Sequence, residues 1–152
     1  MGGSTTGRQI RSGLAMAGCL SLCACGSSPI TSARVETAIA STFANLVHVQ
    51  VSWLGLPPVP PSELAVKASC RKPGMDSTAG SHSGSGEWLC TLRWKGPERQ
   101  SLRDNYDLFV TPDGCYSATA EGEGLAGPML KALDGRDVRN LLYAFEGCFD
   151  TM

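Results

Sequence analysis

The stretch NYDLFVTPDGCYSATA, residues 105–120, is the part of the sequence that predicts the fold most directly. On both sides of residues 111–114 (TPDG), every second residue is apolar: Tyr106, Leu108, Val110, Tyr116, Ala118 and Ala120. Alternation of this kind is typical of a strand with one buried face. Proline at the second position of TPDG is typical of a tight turn. We therefore predict a β-hairpin that turns at residues 111–114.

Two segments upstream of this hairpin show the same alternation. In residues 64–71 the shared face holds Leu64, Val66, Ala68 and Cys70, and in residues 87–95 (EWLCTLRWK) it holds Trp88, Cys90, Leu92 and Trp94. We expect two strands here, and antiparallel pairing would bring Cys70 and Cys90 together on the inward face. Residues 73–86 between them contain almost no large apolar side chains, which predicts a mobile loop.

Residues 32–55 (SARVETAIASTFANLVHVQVSWLG) predict a helix. Mostly apolar side chains recur there at steps of three and four: Val35, Ile39, Phe43, Leu46, Gln50 and Trp53. This spacing places them on one face of a helix. Ser32 is a suitable N-cap and Gly55 a natural stop. The β-branched segment 47–51 leaves an early strand as an alternative for the second half.

Two further segments complete the prediction of the fold. Residues 57–61 contain four prolines, which we interpret as a stiff connector rather than a docking peptide. Residues 129–145 are either a hairpin that turns at 134–135 or a short helix, and their pattern does not decide between the two. We predict an α+β fold, with an N-terminal helix packed on an antiparallel sheet of about four or five strands.

The beginning of the chain has the features of a signal peptide. Its first charged residues are both basic, Arg8 and Arg11, and an apolar run follows from residue 13 to residue 24. That run is shorter than the roughly 20 residues that span a bilayer, but it suits the core of a signal peptide.

The segment Leu22-Cys23-Ala24-Cys25 resembles the bacterial lipobox, in which a peptidase cuts before the last cysteine. The resemblance implies a signal peptide at 1–24, a diacylglycerol thioether on Cys25 and a lipidated tether at 25–32. Cys19 is the alternative lipidation site, but it leaves too short an apolar run after Arg11. An ordinary secretory signal is the other alternative. A lipidated Cys25 would place residues 33–152, as a single domain, on the extracytoplasmic face of the cell membrane.

Four cysteines remain beyond this N-terminal segment: Cys70, Cys90, Cys115 and Cys148. An exported chain meets oxidising conditions, in which disulfides are expected. Four cysteines permit three connectivities, and we expect Cys70–Cys90 and Cys115–Cys148. Their wide spacing is not that of a zinc site, so we expect no metal.

Other parts of the chain also resemble a known group of proteins. The segments GEWLC (86–90), YDLFVTPDGCY (106–116) and NLLYAFEGCFD (140–150) are similar to those of small, uncharacterised envelope lipoproteins of mycobacteria and related actinobacteria. This resemblance implies a location and a disulfide framework. It implies no activity, because these motifs carry no known chemistry.

The charge of the chain gives no reason to expect a nucleic-acid partner. Without Arg8 and Arg11, 11 of the 13 basic residues remain against 14 acidic ones, a net charge of −3. No basic patch for anionic headgroups is evident along the sequence. The sequence therefore predicts neither nucleic-acid binding nor electrostatic binding to a membrane.

Neither histidine has the surroundings of a catalytic group. His48 falls in the predicted helix and His82 in the Gly/Ser-rich loop, so we expect no nucleophile–base pair. Asp104 and Asp107 do not have the spacing of an EF-hand. We therefore predict that the protein is not an enzyme and needs no cofactor.

Three functions remain. We expect a non-enzymatic, membrane-anchored envelope lipoprotein that binds a partner protein or an envelope component. The second hypothesis is a carrier of an apolar ligand, with Trp53, Trp88 and Trp94 lining a pocket between helix and sheet, although these side chains could instead fill the core. The third and last is an envelope hydrolase.

Overall fold

The computed structural model describes residues 1–2, 29–74, 82–96, 99–122 and 125–151. Helix α1 (Ser32–Trp53) is followed by a 3₁₀ turn (Pro61–Leu64). The strands are β1 (Lys67–Arg71), β2 (Gly86–Lys95), β3 (Ser101–Val110), β4 (Cys115–Ala120), β5 (Met129–Lys131), β6 (Asp137–Arg139) and β7 (Ala144–Cys148). Five of them form an antiparallel sheet in the order β1-β2-β3-β4-β7, and β5 pairs with β6 separately. The predicted α+β fold, one helix on a sheet of four or five strands, is confirmed.

Helix α1 extends over the whole segment for which a helix was predicted. Its N-cap is Thr31 rather than Ser32, and the Thr31 side chain makes no capping hydrogen bond. The helix continues through residues 47–51, so the alternative of an early strand there is wrong. The chain leaves the helix at Gly55, whose φ of +76° lies in the left-handed region that glycine adopts most easily.

The hairpin predicted around TPDG forms from β3 and β4. The amide of Thr111 donates to the Cys115 carbonyl at 2.8 Å, and the amide of Gly114 donates to the Thr111 carbonyl at 3.0 Å. Gly114 has a φ of +84°. A Cβ atom at this position would lie 2.5 Å from the Phe149 carbonyl oxygen. The turn therefore requires glycine, both for its backbone conformation and for the close approach of the chain after β7.

One face of the sheet, here called the inner face, packs against α1. The largest fully buried side chains are those of Trp88, Tyr106, Phe43, Ile39, Leu92, Val35, Val110 and Cys90. The Phe43 ring lies 4.8 Å from the Trp94 ring and 6.1 Å from the Tyr106 ring, measured between centroids. Because burial of each such large apolar side chain contributes about 1.5–3 kcal/mol, these contacts hold helix and sheet together.

The two predicted disulfides, Cys70–Cys90 and Cys115–Cys148, are both present. Each joins residues that are directly opposite in neighbouring strands. Cys70 and Cys90 lie in the core, 5% and 2% exposed. Alternation along β4 places Cys115 on the other side of the sheet from the buried Tyr116, and Cys148 is exposed. One disulfide therefore closes the core and the other lies on the opposite face.

The segment 129–145, which the sequence left open between a hairpin and a helix, begins with a hairpin. Strands β5 and β6 pair, and the Ala132 amide donates to the Arg136 carbonyl at 2.9 Å across the turn. The hairpin contacts the end of α1, because the Leu133 amide donates to the Leu54 carbonyl at 3.0 Å. β7 then adds to the sheet beside β4.

Several predictions concern residues outside the described ranges. These are residues 3–24 of the signal peptide, with Cys19, residues 25–28 of the tether, with Cys25, and residues 75–81 of the predicted mobile loop. Among the described helices, none is both long enough and apolar enough to cross a membrane.

Candidate functional site

The face of the sheet that points away from α1, here called the outer face, is open to solvent within the described ranges. Exposure alternates along β2 and β3, where buried residues face α1 and the residues between them face outward. In β3, for example, Tyr106 and Leu108 are buried, whereas Asn105, Asp107 and Phe109 are exposed. The outward side chains of five strands thus form one continuous surface.

The strand register places three basic residues side by side on the outer face. Lys67 of β1 is opposite Arg93 of β2, and Arg93 is opposite Arg103 of β3. All three side chains are exposed. Because neighbouring strands lie about 4.8 Å apart, three positive charges fall within about 10 Å along a line across the strands. We call Lys67, Arg93 and Arg103 the basic row.

No carboxylate neutralises the basic row in the described part of the chain. The ion pairs found there are Lys131–Asp137 and Arg136–Asp134, and both belong to the β5–β6 hairpin. Like charges that are directly opposite in neighbouring strands destabilise a sheet. The basic row therefore has an energetic cost that no described contact offsets.

A cleft of about 570 Å³ adjoins the basic row and adds to its positive charge. It is lined by Val59, Glu63, Lys95, Gly96 and Arg99. Lys95 projects from the same side of β2 as Arg93, two residues further along the strand. The cleft lining contains two cations, Lys95 and Arg99, and one carboxylate, Glu63. This end of the outer face is therefore strongly cationic.

At the opposite end of the outer face, here called the acidic end, carboxylates outnumber the cations Arg71 and Arg139. Glu87 of β2 and Glu146 of β7 lie in one row across the sheet, and Asp107 of β3 lies in the next row. Glu87 is six residues from Arg93, which corresponds to about 20 Å along β2. The outer face thus changes from basic to acidic along the strand direction.

Glu121 lies next to this acidic end, within hydrogen-bonding reach of the Asp107 carboxylate. Partial burial, and after it the Asp107 carboxylate, raises the pKa of Glu121, while Arg71 acts in the opposite direction. The carboxylates of Glu121 and Asp107 therefore lie side by side next to the acidic end. They make this end less suited to an anion and leave the basic row as the anion-attracting part of the face.

Polar side chains separate the two ends. Ser69, Thr91 and Asn105 lie in one row, and the Thr91 hydroxyl donates to Asn105 Oδ1 at 2.8 Å. The large apolar residue exposed on this face is Phe109, which is 54% exposed and lies in the same row as Glu87. The surface is thus suited to polar and ionic contacts more than to apolar ones.

The structure does not place the three tryptophans in one pocket. Trp88 and Trp94 are 0% and 8% exposed and belong to the core, whereas Trp53 is 46% exposed and lies outside it. Two of them therefore fill the core, which was the alternative interpretation of these residues.

The histidines also lie apart from each other. His48 is exposed on α1, with Nδ1 3.0 Å from the Val59 carbonyl oxygen. The His82 ring meets the Trp88 ring edge to face at 6.5 Å. Within residues 29–151, leaving aside the gaps in the description, no three His, Cys, Asp or Glu side chains are grouped so as to hold a metal ion.

The basic row was missed because its members are far apart in the sequence and belong to three strands. The sequence shows no basic patch for anionic headgroups along the chain, whereas the strand register brings three cations together on the outer face. The signal that predicts the row was nevertheless present, because pairing Cys70 with Cys90 sets the register of β1 and β2. Three residues away in each strand, that register places Lys67 opposite Arg93.

Comparisons of the chain with family models, with curated proteins and with solved structures found no match. The function proposed for the chain therefore depends on the geometry and charge of the outer face and on the N-terminal sequence.

Proposed function

We propose that this chain is a non-enzymatic envelope lipoprotein, anchored to the membrane by lipid on Cys25, that binds a partner protein or an envelope component through its outer face. The observation that carries the proposal is the open, charge-segregated surface of the five-stranded sheet. A sheet face that no other described part of the chain covers, and whose charge the described residues do not compensate, is suited to an external partner.

The place at which the chain enters the domain is consistent with such an anchor. The Ser32 amide donates to the His82 carbonyl at 2.9 Å, and the Gly84 amide donates to the Ile30 carbonyl at 2.8 Å. The chain therefore enters the domain beside the start of β2, at the acidic end of the outer face. Arg93 lies seven residues beyond Gly86, about 23 Å further along β2. A lipidated Cys25 would hold the acidic end near the membrane and direct the basic row away from it.

A binding role fits the outer face better than a catalytic role. Catalytic electrostatics depends on a site from which water is excluded. Lys67, Arg93 and Arg103 are exposed to solvent instead. Exposed charges mainly steer and select a partner.

The anchor is tested by the intact mass of the protein extracted from native membranes, with and without reduction and alkylation. We expect the mass of residues 25–152 plus acyl chains, and free thiols only after reduction. A chain that begins elsewhere or has no lipid would contradict the anchor on Cys25. Cys25→Ser should release the protein from the membrane fraction.

The role of the outer face is tested by blocking it. Asn105→Cys places a thiol at the centre of the outer face, and Asn45→Cys places one on the exposed side of α1. Each is introduced into the mature chain with Cys25→Ser and labelled with a bulky maleimide, and co-sedimentation with purified envelope fragments is measured. We expect the label at residue 105 to abolish binding and the label at residue 45 to leave it unchanged. Equal binding by both labelled proteins would refute the proposal.

A further inference from the structure

We infer that the basic row binds a linear polyanion whose chain crosses β1, β2 and β3. This inference rests on the proposed function, since it assigns a ligand class to the outer face. The ligand is a polymer with several closely spaced anionic groups. No covalent step is involved.

Positive charge is concentrated in the basic row. The chain has 13 Lys and Arg residues against 14 Asp and Glu residues, a net charge of −1. In this nearly neutral chain, the register nevertheless sets Lys67, Arg93 and Arg103 side by side. Lys95 and Arg99 lie in the adjoining cleft. Bound anions would remove the mutual repulsion of the row, so binding relieves a cost already present in the free protein.

These charges are arranged in a line. The basic row runs across the strands, with a cation about every 4.8 Å. Each exposed ion pair contributes little, at most about 1 kcal/mol. A single small anion contacts only part of the row and binds weakly, whereas a polymer contacts the whole row and adds these contributions. The geometry therefore selects for multivalency.

The distribution of charge on the outer face also sets the direction of the ligand. At the acidic end, Glu87, Asp107, Glu121 and Glu146 outnumber Arg71 and Arg139, so this end repels an anionic chain that runs along the strands. A chain that crosses the strands at the basic row avoids these carboxylates. The charge gradient of the outer face thus confines the polymer to one end and orients it perpendicular to the strands.

The basic row is less suited to a nucleic acid or to a membrane. Binding of single-stranded nucleic acid relies on aromatic side chains for base stacking, but among the described residues the exposed aromatic on the outer face, Phe109, lies in the row of Glu87. A membrane surface is disfavoured because the chain enters the domain at the acidic end, beside His82 and Gly84.

The experiment uses the mature chain with Cys25→Ser and inorganic polyphosphate as the probe. Affinity is measured over a range of salt concentrations, with orthophosphate as the monovalent comparison. The test variant is Arg93→Gln/Arg103→Gln. The matched control is Arg71→Gln/Arg139→Gln, which removes the same charge from exposed positions at the other end of the outer face.

We expect polyphosphate to bind much more tightly than orthophosphate and to be released by salt. The test variant should bind polyphosphate about tenfold more weakly, and the control should retain most of the affinity. Disulfide mapping and melting temperature establish that each variant is folded. Equal affinity of test and control variants, or no polyphosphate binding, would overturn the inference.

Two further arms separate this inference from its alternatives and from the proposed function. Tighter binding to anionic lipid vesicles or to single-stranded DNA than to polyphosphate would overturn the assignment of the ligand. If envelope fragments bind to the outer face but the test variant binds them as well as the control does, the inference fails and the proposed function stands. If the label at residue 105 has no effect, the proposed function itself fails.

Discussion

Arg93 and Arg103 are directly opposite each other across the β2–β3 ladder, with both side chains in solvent. Arg93 is also opposite Lys67 on its other side. A cation between two cations is an unfavourable choice for stability alone. A substitution of Arg93 should therefore raise the stability of the fold while it weakens ligand binding.

We predict that Arg93→Thr stabilises the protein, by about 0.3–1 kcal/mol at low salt. The substitution removes repulsion on both sides of Arg93, and threonine is favourable in a strand. Urea denaturation at low and high salt measures the effect, and the gain should shrink at high salt because screening weakens repulsion in the wild type. Arg71→Thr is the control, because Leu89 is its partner in β2. An equal gain in both variants would mean that strand propensity, not repulsion, causes the effect.

Gly114→Ala should be far more destabilising than Gly135→Ala. Both glycines end Asp-Gly turns with the same hydrogen-bond pattern, and their φ values are +84° and +83°. A Cβ at Gly114 would lie 2.5 Å from Phe149 O and from Thr151 Cγ2, whereas nothing lies within 4 Å at Gly135. We expect a loss of about 1 kcal/mol for Gly135→Ala from backbone strain, and about 3 kcal/mol for Gly114→Ala. Thermal melts of the two variants check this difference, and similar melting temperatures would contradict it.

The two disulfides should differ in their accessibility to a reductant. Cys148 is exposed, whereas Cys70 and Cys90 are buried in the core. Under native conditions we expect a small thiol to open Cys115–Cys148 first, because exchange requires direct attack on a sulfur atom. Timed alkylation followed by peptide mass spectrometry resolves the order. Simultaneous opening of both disulfides would show that reduction proceeds through global unfolding.

Removing either disulfide should strongly destabilise the fold. Cys148→Ser frees a loop whose ends are 33 residues apart, and chain entropy predicts a loss of about 3–4 kcal/mol. Cys115→Ser/Cys148→Ser, which leaves no unpaired thiol, is the control for mispairing. A normal thermal melt of both variants would refute this prediction.

Glu121→Gln should stabilise the protein at neutral pH and have little effect in acid. The pKa of Glu121 is raised above its usual 4.5, first by partial burial and then by Asp107. The native state therefore binds this proton more tightly than the unfolded state does, and stability falls as pH rises above about 4.5. We expect the variant to gain up to about 0.5 kcal/mol at pH 7.

Melting temperatures between pH 4 and pH 7 test this prediction. Asp107→Asn should give part of the same gain, and combining the two substitutions should give less than the sum of their effects, because they remove one shared repulsion. A gain from Glu121→Gln that is constant across this pH range would show that its cause is not ionisation.

Much of the fold follows from alternation in the sequence. Buried positions recur at every second residue of β2, of β4 and of β3 from Tyr106 onwards, and strands were predicted there from that pattern. The pairing of Cys70 with Cys90 was also predicted, because alternation placed both on the inward face. Periodicity reliably indicates a strand where one face of that strand is buried and the other is exposed to solvent.

Other features of the fold and of the outer face depend on contacts between segments that are far apart in the sequence. No local pattern predicts such contacts. Gln50 is 2% exposed, because its Oε1 accepts the Leu141 amide at 2.6 Å and this segment covers the helix. Trp53, three residues further, is 46% exposed. The basic row likewise exists only once three strands are in register. Helical spacing indicates a face but not how far that face is covered.

The beginning and the end of the domain contact each other directly. Arg34, in the first turn of α1, donates to the Asp150 carbonyl, and its guanidinium lies 6.0 Å from the centre of the Phe149 ring. A short linker could therefore join residue 151 to residue 29, with new chain ends opened at the Asp134–Gly135 turn. Because this turn lies beside the end of α1, such a circular permutant would turn the domain upside down relative to its tether. The basic row would then lie towards the membrane instead of away from it.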